Sequence, residues 1–244
     1  MRCLFAALLF SALLNGCAST PQDPNGTWIN QAAIDAAVEG GSLREALLAY
    51  GPNLEWQIDS PRQQASFSNG FERGEGTFVR QADGHLNVHF YADDQESLSL
   101  NERELVQAQS ATWPEQHFVR APATPKPLAP PGSSFVHALY SAYLGGSWLI
   151  EEGLGKGGLV IFQADGGVQG LPGAERYALC LAGDCAAMSG ESDSLWLQQG
   201  EQGHSWLFER EGDQLRVFTA LNRAQIDEMP DYYKGQQRWL LVKR

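Results

Sequence analysis

Apolar and polar positions alternate with a period of two through much of the second half of the chain. Leu159-Val160-Ile161-Phe162, Tyr177-Ala178-Leu179-Cys180, Leu195-Trp196-Leu197, Trp206-Leu207-Phe208 and Trp239 to Val242 are short runs of strand-forming residues, separated by clusters of Gly, Asp, Asn and Gln. Regularly spaced strands of this kind predict a small barrel or a strongly curved antiparallel sheet. In the first half the period changes to that of a helix over Ala32 to Glu39 and Ser42 to Tyr50. There Ile34 and Val38, then Leu43, Leu47 and Tyr50, recur at helical spacing, and Ser42-x-x-Glu45 is a capping box. A third helix is expected over Ser134 to Leu144, leading into the second run of strands. The apolar stripes of these helices read as core rather than as binding grooves.

Between the halves, Pro122, Pro125, Pro127, Pro130 and Pro131 crowd a stretch that can join neither helix nor sheet ladder and reads as an extended spacer. The fold class that follows is mainly β with a few short helices (α+β): two tandem small antiparallel β-barrel or curved-sheet domains joined by a Pro-rich linker. The first α+β domain is placed at 26–120, the linker at 121–133 and the second, β-rich domain at 134–244. The halves also look like copies. Gly26-Thr27-Trp28-Ile29 matches Gly146-Ser147-Trp148-Leu149, and each half closes on an aromatic strand, Gln116-His117-Phe118-Val119 and Gln237-Arg238-Trp239-Leu240. Each half also holds an acidic-glycine hairpin, Asp83-Gly84 and Gly212-Asp213, before an alternating strand.

The amino terminus has a different pattern. Arg2 precedes an apolar run from Leu4 to Leu14 interrupted only by Ser11, the layout of a secretory signal. As a helix that run would span roughly 16 Å, about half a bilayer core, too little to cross one. It ends in Leu14-Asn15-Gly16-Cys17, which resembles the bacterial lipobox. The resemblance implies cleavage after a signal peptide at 1–16, acylation of Cys17 and a lipid-anchored exported protein. Ala18 after the cysteine, where an inner-membrane retention signal would resemble Asp, favours the outer membrane facing the periplasm. The acylated N-terminus and tether at 17–25 is small, polar and proline-containing; its residues after the cysteine reach at most about 28 Å, so the first domain is expected to work close to the bilayer.

Charge narrows the partners. The chain carries a formal −12 at neutral pH, which opposes nucleic acid and bare anionic lipid. Beyond the export signal only Cys180 and Cys185 remain, and in an oxidising compartment such a pair is expected as a disulfide, here across a short hairpin at Gly183-Asp184. Two buried thiols are the alternative. His85 and His89 are four apart, but on a strand that spacing separates them by roughly 13 Å, too far to share one metal ion. His117, His137 and His204 read as isolated. No motif for a catalytic nucleophile, metal helix, phosphate loop or dinucleotide fingerprint is present, so neither a catalytic residue nor a metal or other cofactor is expected. The remaining chemistry is aromatic: Tyr232 and Tyr233 follow Met229-Pro230 in an expected loop, where exposed tyrosines suit contact with a protein partner. The blander reading is a loop packed over the barrel mouth.

Phe162-Gln163-Ala164-Asp165-Gly166-Gly167-Val168-Gln169-Gly170-Leu171-Pro172-Gly173, preceded by Gly146-x-Trp148, is similar to the opening of META-type bacterial lipoprotein domains, with their G-x-W strand and F-x-x-D-G-x-V-x-G-x-x-G turn. That resemblance covers about 30 residues and implies a small calycin-like β fold in the cell envelope, with no catalytic residues to carry over. The expected function is therefore a non-enzymatic, membrane-anchored lipoprotein that binds another envelope component, a protein before other classes. A lipocalin-like carrier of a small hydrophobic ligand is the alternative, and an envelope hydrolase without a recognisable motif comes third.

Overall fold

The computed structural model describes residues 23–91, 94–111, 113–122 and 129–244; the expected signal, Cys17 and the interior of the proline linker lie outside them. The first half forms a closed barrel of eight antiparallel strands in sequential order: β1 (Gly26–Ile29), β2 (Glu55–Asp59), β3 (Gln64–Ser68), β4 (Arg73–Arg80), β5 (Leu86–His89), β6 (Gln95–Asn101), β7 (Glu104–Gln107) and β8 (Gln116–Arg120), with β1 pairing β8. Helices α1 (Gln31–Gly40) and α2 (Leu43–Ala49) are inserted between β1 and β2. The N-cap contact of the expected capping box forms: Ser42 Oγ accepts the Glu45 N–H at 3.2 Å.

The second half repeats this up-and-down path. After α3 (Ser133–Tyr143) come β9 (Gly146–Gly153), β10 (Leu159–Phe162), β11 (Val168–Gln169) and β12 (Arg176–Leu179). Helix α4 (Gly183–Ser189) is followed by β13 (Asp193–Gln199), β14 (Gln202–Glu211), β15 (Gln214–Asn222) and β16 (Tyr232–Lys243). Strand β16 pairs β9, and a single bridge, Gly167 to Arg176, links β11 to β12 around the other side. Two eight-stranded, barrel-like antiparallel sheets in tandem are thus the architecture.

The two sheets close in the same way. Trp28 sits opposite Arg120, and Trp148 opposite Lys243. Each indole N–H donates to the carbonyl four residues back, Pro24 at 2.7 Å and Leu144 at 2.8 Å. Each indole also carries the opposing cation over its face, the Arg120 guanidinium at 4.3 Å and the Lys243 ammonium at 5.6 Å. One step further, Ala121 N–H donates to Thr27 O and Arg244 N–H to Ser147 O, both at 2.9 Å. This register corrects the match of closing aromatics: Phe118 is equivalent to Leu241, two residues beyond Trp239. β16 is the longer strand and its pairing with β9 is irregular at Leu240/Leu241, so the aromatic residues of the two closing strands do not stand at equivalent positions.

Aromatic rings fill the sheets. In the first, Trp28, Trp56, Phe78 and Phe118 are buried, and Phe67 and Phe90 pack against Trp56 at 5.5 and 6.2 Å between centroids. In the second, Trp148, Phe162, Tyr177, Phe208 and Trp239 form one cluster with Phe135, Leu139 and Tyr143 of α3. That cluster also takes in Ala33, Ile34 and Ala37 of α1 and Leu43 and Leu47 of α2. Helices from the first half therefore belong to the core of the second, and the proline-rich boundary in sequence is not a boundary in packing.

Polar contacts lock this shared layer. Asp193, at the start of β13, accepts the Leu43 and Arg44 N–H groups at 2.9 and 2.7 Å and so caps α2 from the other half. Arg210 of β14 donates to Val38 O at 3.0 Å at the end of α1 and lies over the Tyr143 ring, whose hydroxyl donates to Gly41 O. In the reverse direction Glu55, wholly buried in β2, accepts the Phe135 N–H at the start of α3 at 2.8 Å.

Candidate interaction site

The meander fixes which loops share a mouth. In the first barrel the start of β1, the β2–β3 turn and the β4–β5 turn lie at one mouth, with α1 and α2 at the other. In the second, α3 leads into the mouth that holds the β14–β15 turn and the end of β16. The β13–β14 turn and the long β15–β16 hairpin lie at the opposite mouth, away from the helices. The last residues of the expected tether are held at the far mouth of the first barrel. Arg120 donates to Asp23 O and Asn25 O at 2.6 and 2.7 Å, and Ser60 donates to the Asp23 carboxylate at 2.9 Å.

The β15–β16 hairpin displays a group of exposed apolar side chains. Ile226 is 89% exposed and Met229 58%, with Leu221 and Tyr233 more than two-fifths exposed at the base. The loop between the strands is nevertheless well tied. Asn222 Oδ1 accepts the Ala224 and Asp231 N–H groups, each at 3.0 Å, and Arg223 forms a fork with the Asp231 carboxylate at 2.6 and 3.2 Å. Glu228 accepts the Gln225 N–H at 3.1 Å, and its own N–H donates to Ile226 O at 2.8 Å. Asp227 stands at φ +74°, a left-handed conformation that costs a non-glycine residue about 1–3 kcal/mol and persists only where its surroundings over-determine it. Carboxylates Asp227 and Glu228 flank Ile226 and form no ion pair among the described residues. A preordered, acid-flanked apolar knob has the composition of a protein-contact surface.

Tyr232 and Tyr233 lie within this feature, but not in a loop. They are the first residues of β16, paired with Asn222 and Leu221. The strand extends back because both tyrosines favour extended pairing, while the turn itself is confined to residues 223–231. Cys180 and Cys185 are bonded, at a Cα separation of 5.8 Å. They do not face each other across two strands as the turn signal suggested. Cys185 belongs to α4, where Ala186, Ala187 and Met188 are helix formers and Gly183-Asp184 opens the helix. Of the histidines, His85 and His89 are exposed at the two ends of β5. His117 is not isolated: Nδ1 meets Glu104 at 2.9 Å and Nε2 meets Glu115 at 3.0 Å, because all three lie on one face of β7–β8. Hydrogen bonding to Glu104 is the main reason its pKa is raised, with partial burial opposing.

No family model, curated protein or solved structure matches the chain. The acid-flanked apolar hairpin is therefore judged by its own geometry. Sequence reasoning found its tyrosines and missed Ile226 and Met229, although Ile226-Asp227-Glu228-Met229 set between Gln225 and Pro230 is an unusual apolar content for a turn.

Proposed function

We propose that this chain is a non-enzymatic envelope lipoprotein, held by acyl chains on Cys17 at the outer membrane facing the periplasm, that binds another envelope protein through its β15–β16 hairpin. The observation that carries the reading is Ile226, almost fully exposed on a loop ordered by its own hydrogen bonds. The partner's surface would offer an apolar recess with a basic rim, complementary to Asp227 and Glu228. The hairpin leaves the mouth remote from the helices, whereas residues 23–25 are clamped at the helix-free mouth of the first barrel. An anchor at one side and a contact surface at the other suit a protein that holds its partner away from its own bilayer. A lipocalin-like carrier is the second reading; the aromatic filling of both barrels favours protein binding over it.

Three measurements test this. Labelled palmitate should be incorporated into the native chain and not into Cys17→Ser. A photo-cross-linking residue at Ile226 should give a discrete adduct in the native host, whereas one at exposed Leu159 should not. Ile226→Asp should change stability by no more than about 0.5 kcal/mol while abolishing partner binding. Equal adducts from both positions, or none from Ile226, would refute the hairpin as the contact.

A further inference from the structure

Where the two halves meet, a cleft of about 320 Å³ opens between the β3–β4 hairpin of the first barrel and the start of α3, the β10–β11 turn and Leu181 of the second. Its flanks are tight. A Cβ at Gly132 would stand 2.7 Å from Ser68 Oγ, and one at Gly70 would stand 2.8 Å from Leu181 Cβ. The halves are thus in van der Waals contact on both sides of the cleft, which is open to solvent between them.

The lining has a definite chemical character. Leu54 and Phe135 are buried in its floor, and Phe71 presents a ring that is 56% exposed. One cation and one anion face the space from opposite halves: Arg73 at the start of β4, and Asp165 in the β10–β11 turn. Among the described residues neither belongs to an ion pair, in contrast to Arg62, Arg216 and Arg223, which all do. One Asp165 oxygen accepts the Gly167 N–H at 3.0 Å. Ser68 and Ser133 are already engaged, by the Gly70 N–H and Pro130 O respectively, while His137 stands exposed at the rim. At the roughly 30 Å³ a water occupies in the liquid, the cleft has the volume of about ten waters.

We infer that the seam cleft binds a small zwitterion with an apolar body, a free apolar α-amino acid, whose carboxylate meets Arg73, whose ammonium meets Asp165 and whose side chain lies against the exposed Phe71 ring. Each charge of the ligand comes from a different half, so binding braces the seam. This site is separate from the hairpin and does not depend on the protein-binding reading.

Isothermal titration of the full mature protein in detergent tests the assignment with three probes: L-phenylalanine, N-acetyl-phenylalanine and phenylalaninamide. L-Phenylalanine should bind, and each blocked form should bind at least about tenfold more weakly, the equivalent of about 1.4 kcal/mol. Arg73→Ala should erase the preference over the amide, and Asp165→Asn the preference over the acetylated form. Both side chains are exposed, so folding should survive, which an unchanged melting temperature would verify. Ile226→Asp should leave all three titrations unaltered. Absence of binding by L-phenylalanine at about 1 mM, or Arg73→Ala and Asp165→Asn proteins that bind as the native one does, would overturn the inference.

Discussion

His117 shows how one residue acquires a property from its strand neighbours. Glu104 and Glu115 favour the imidazolium, so its pKa in the folded protein lies above the ordinary 6.5 of an unperturbed histidine. The sign of the pH effect follows: this contribution to stability is fully present below about pH 6.5 and is lost as the pH rises through the higher folded pKa. Titration of the His117 ring protons by NMR should give a midpoint above 6.5, and Glu104→Gln should lower it towards that value. The group is half exposed, so its effect on folding is small. Asp193 is the opposite case, a buried carboxylate whose burial raises its pKa although the Leu43 and Arg44 N–H groups pull it down. Asp193→Ala takes their acceptor from the Leu43 and Arg44 N–H groups within the seam, leaving only Ser42 to cap α2, and should cost about 1–3 kcal/mol in urea unfolding.

Among the elements, the loop from β12 to α4 ties the seam. Leu181 lies against Gly70 and Gly183 against the Phe71 ring, and the Cys180–Cys185 bond holds both ends of this loop. Replacing both cysteines by serine should lower stability by about 2 kcal/mol in the chain-entropy account of so short a loop. Calorimetry of the Cys180→Ser, Cys185→Ser double variant checks this; an unchanged melting temperature would contradict it. Helices α1, α2 and α3 were legible in the sequence by their apolar spacing, and α2 also by its start signal, where Ser42 accepts the Glu45 N–H. The short helix α4 was not, since Gly183-Asp184 also suits a hairpin turn and only its packing beside the second barrel selects the helix.

For the whole molecule, the shared helical layer implies one cooperative unit. α1 and α2 lie in the core of the second barrel while Glu55 of the first caps α3, so neither half keeps all its buried groups partnered alone. Urea unfolding of the full chain should give a single transition, and residues 134–244 expressed alone should bind a hydrophobic dye and unfold at lower urea. The sequence by itself determined the local and repeated features: strands at period two, helices at their own spacing, two tandem β units, and the Trp28 and Trp148 strands that open them. Those follow from propensity and alternation, which act over a few residues. Only the tertiary structure decided that the helices of one half complete the core of the other, that Arg120 and Lys243 cover the two tryptophans, that Glu104 raises the pKa of His117, and that Arg73 and Asp165 face one cleft. Each of these joins residues far apart in the chain or on neighbouring strands, and its existence depends on strand register and on how two barrels dock, which no local pattern encodes.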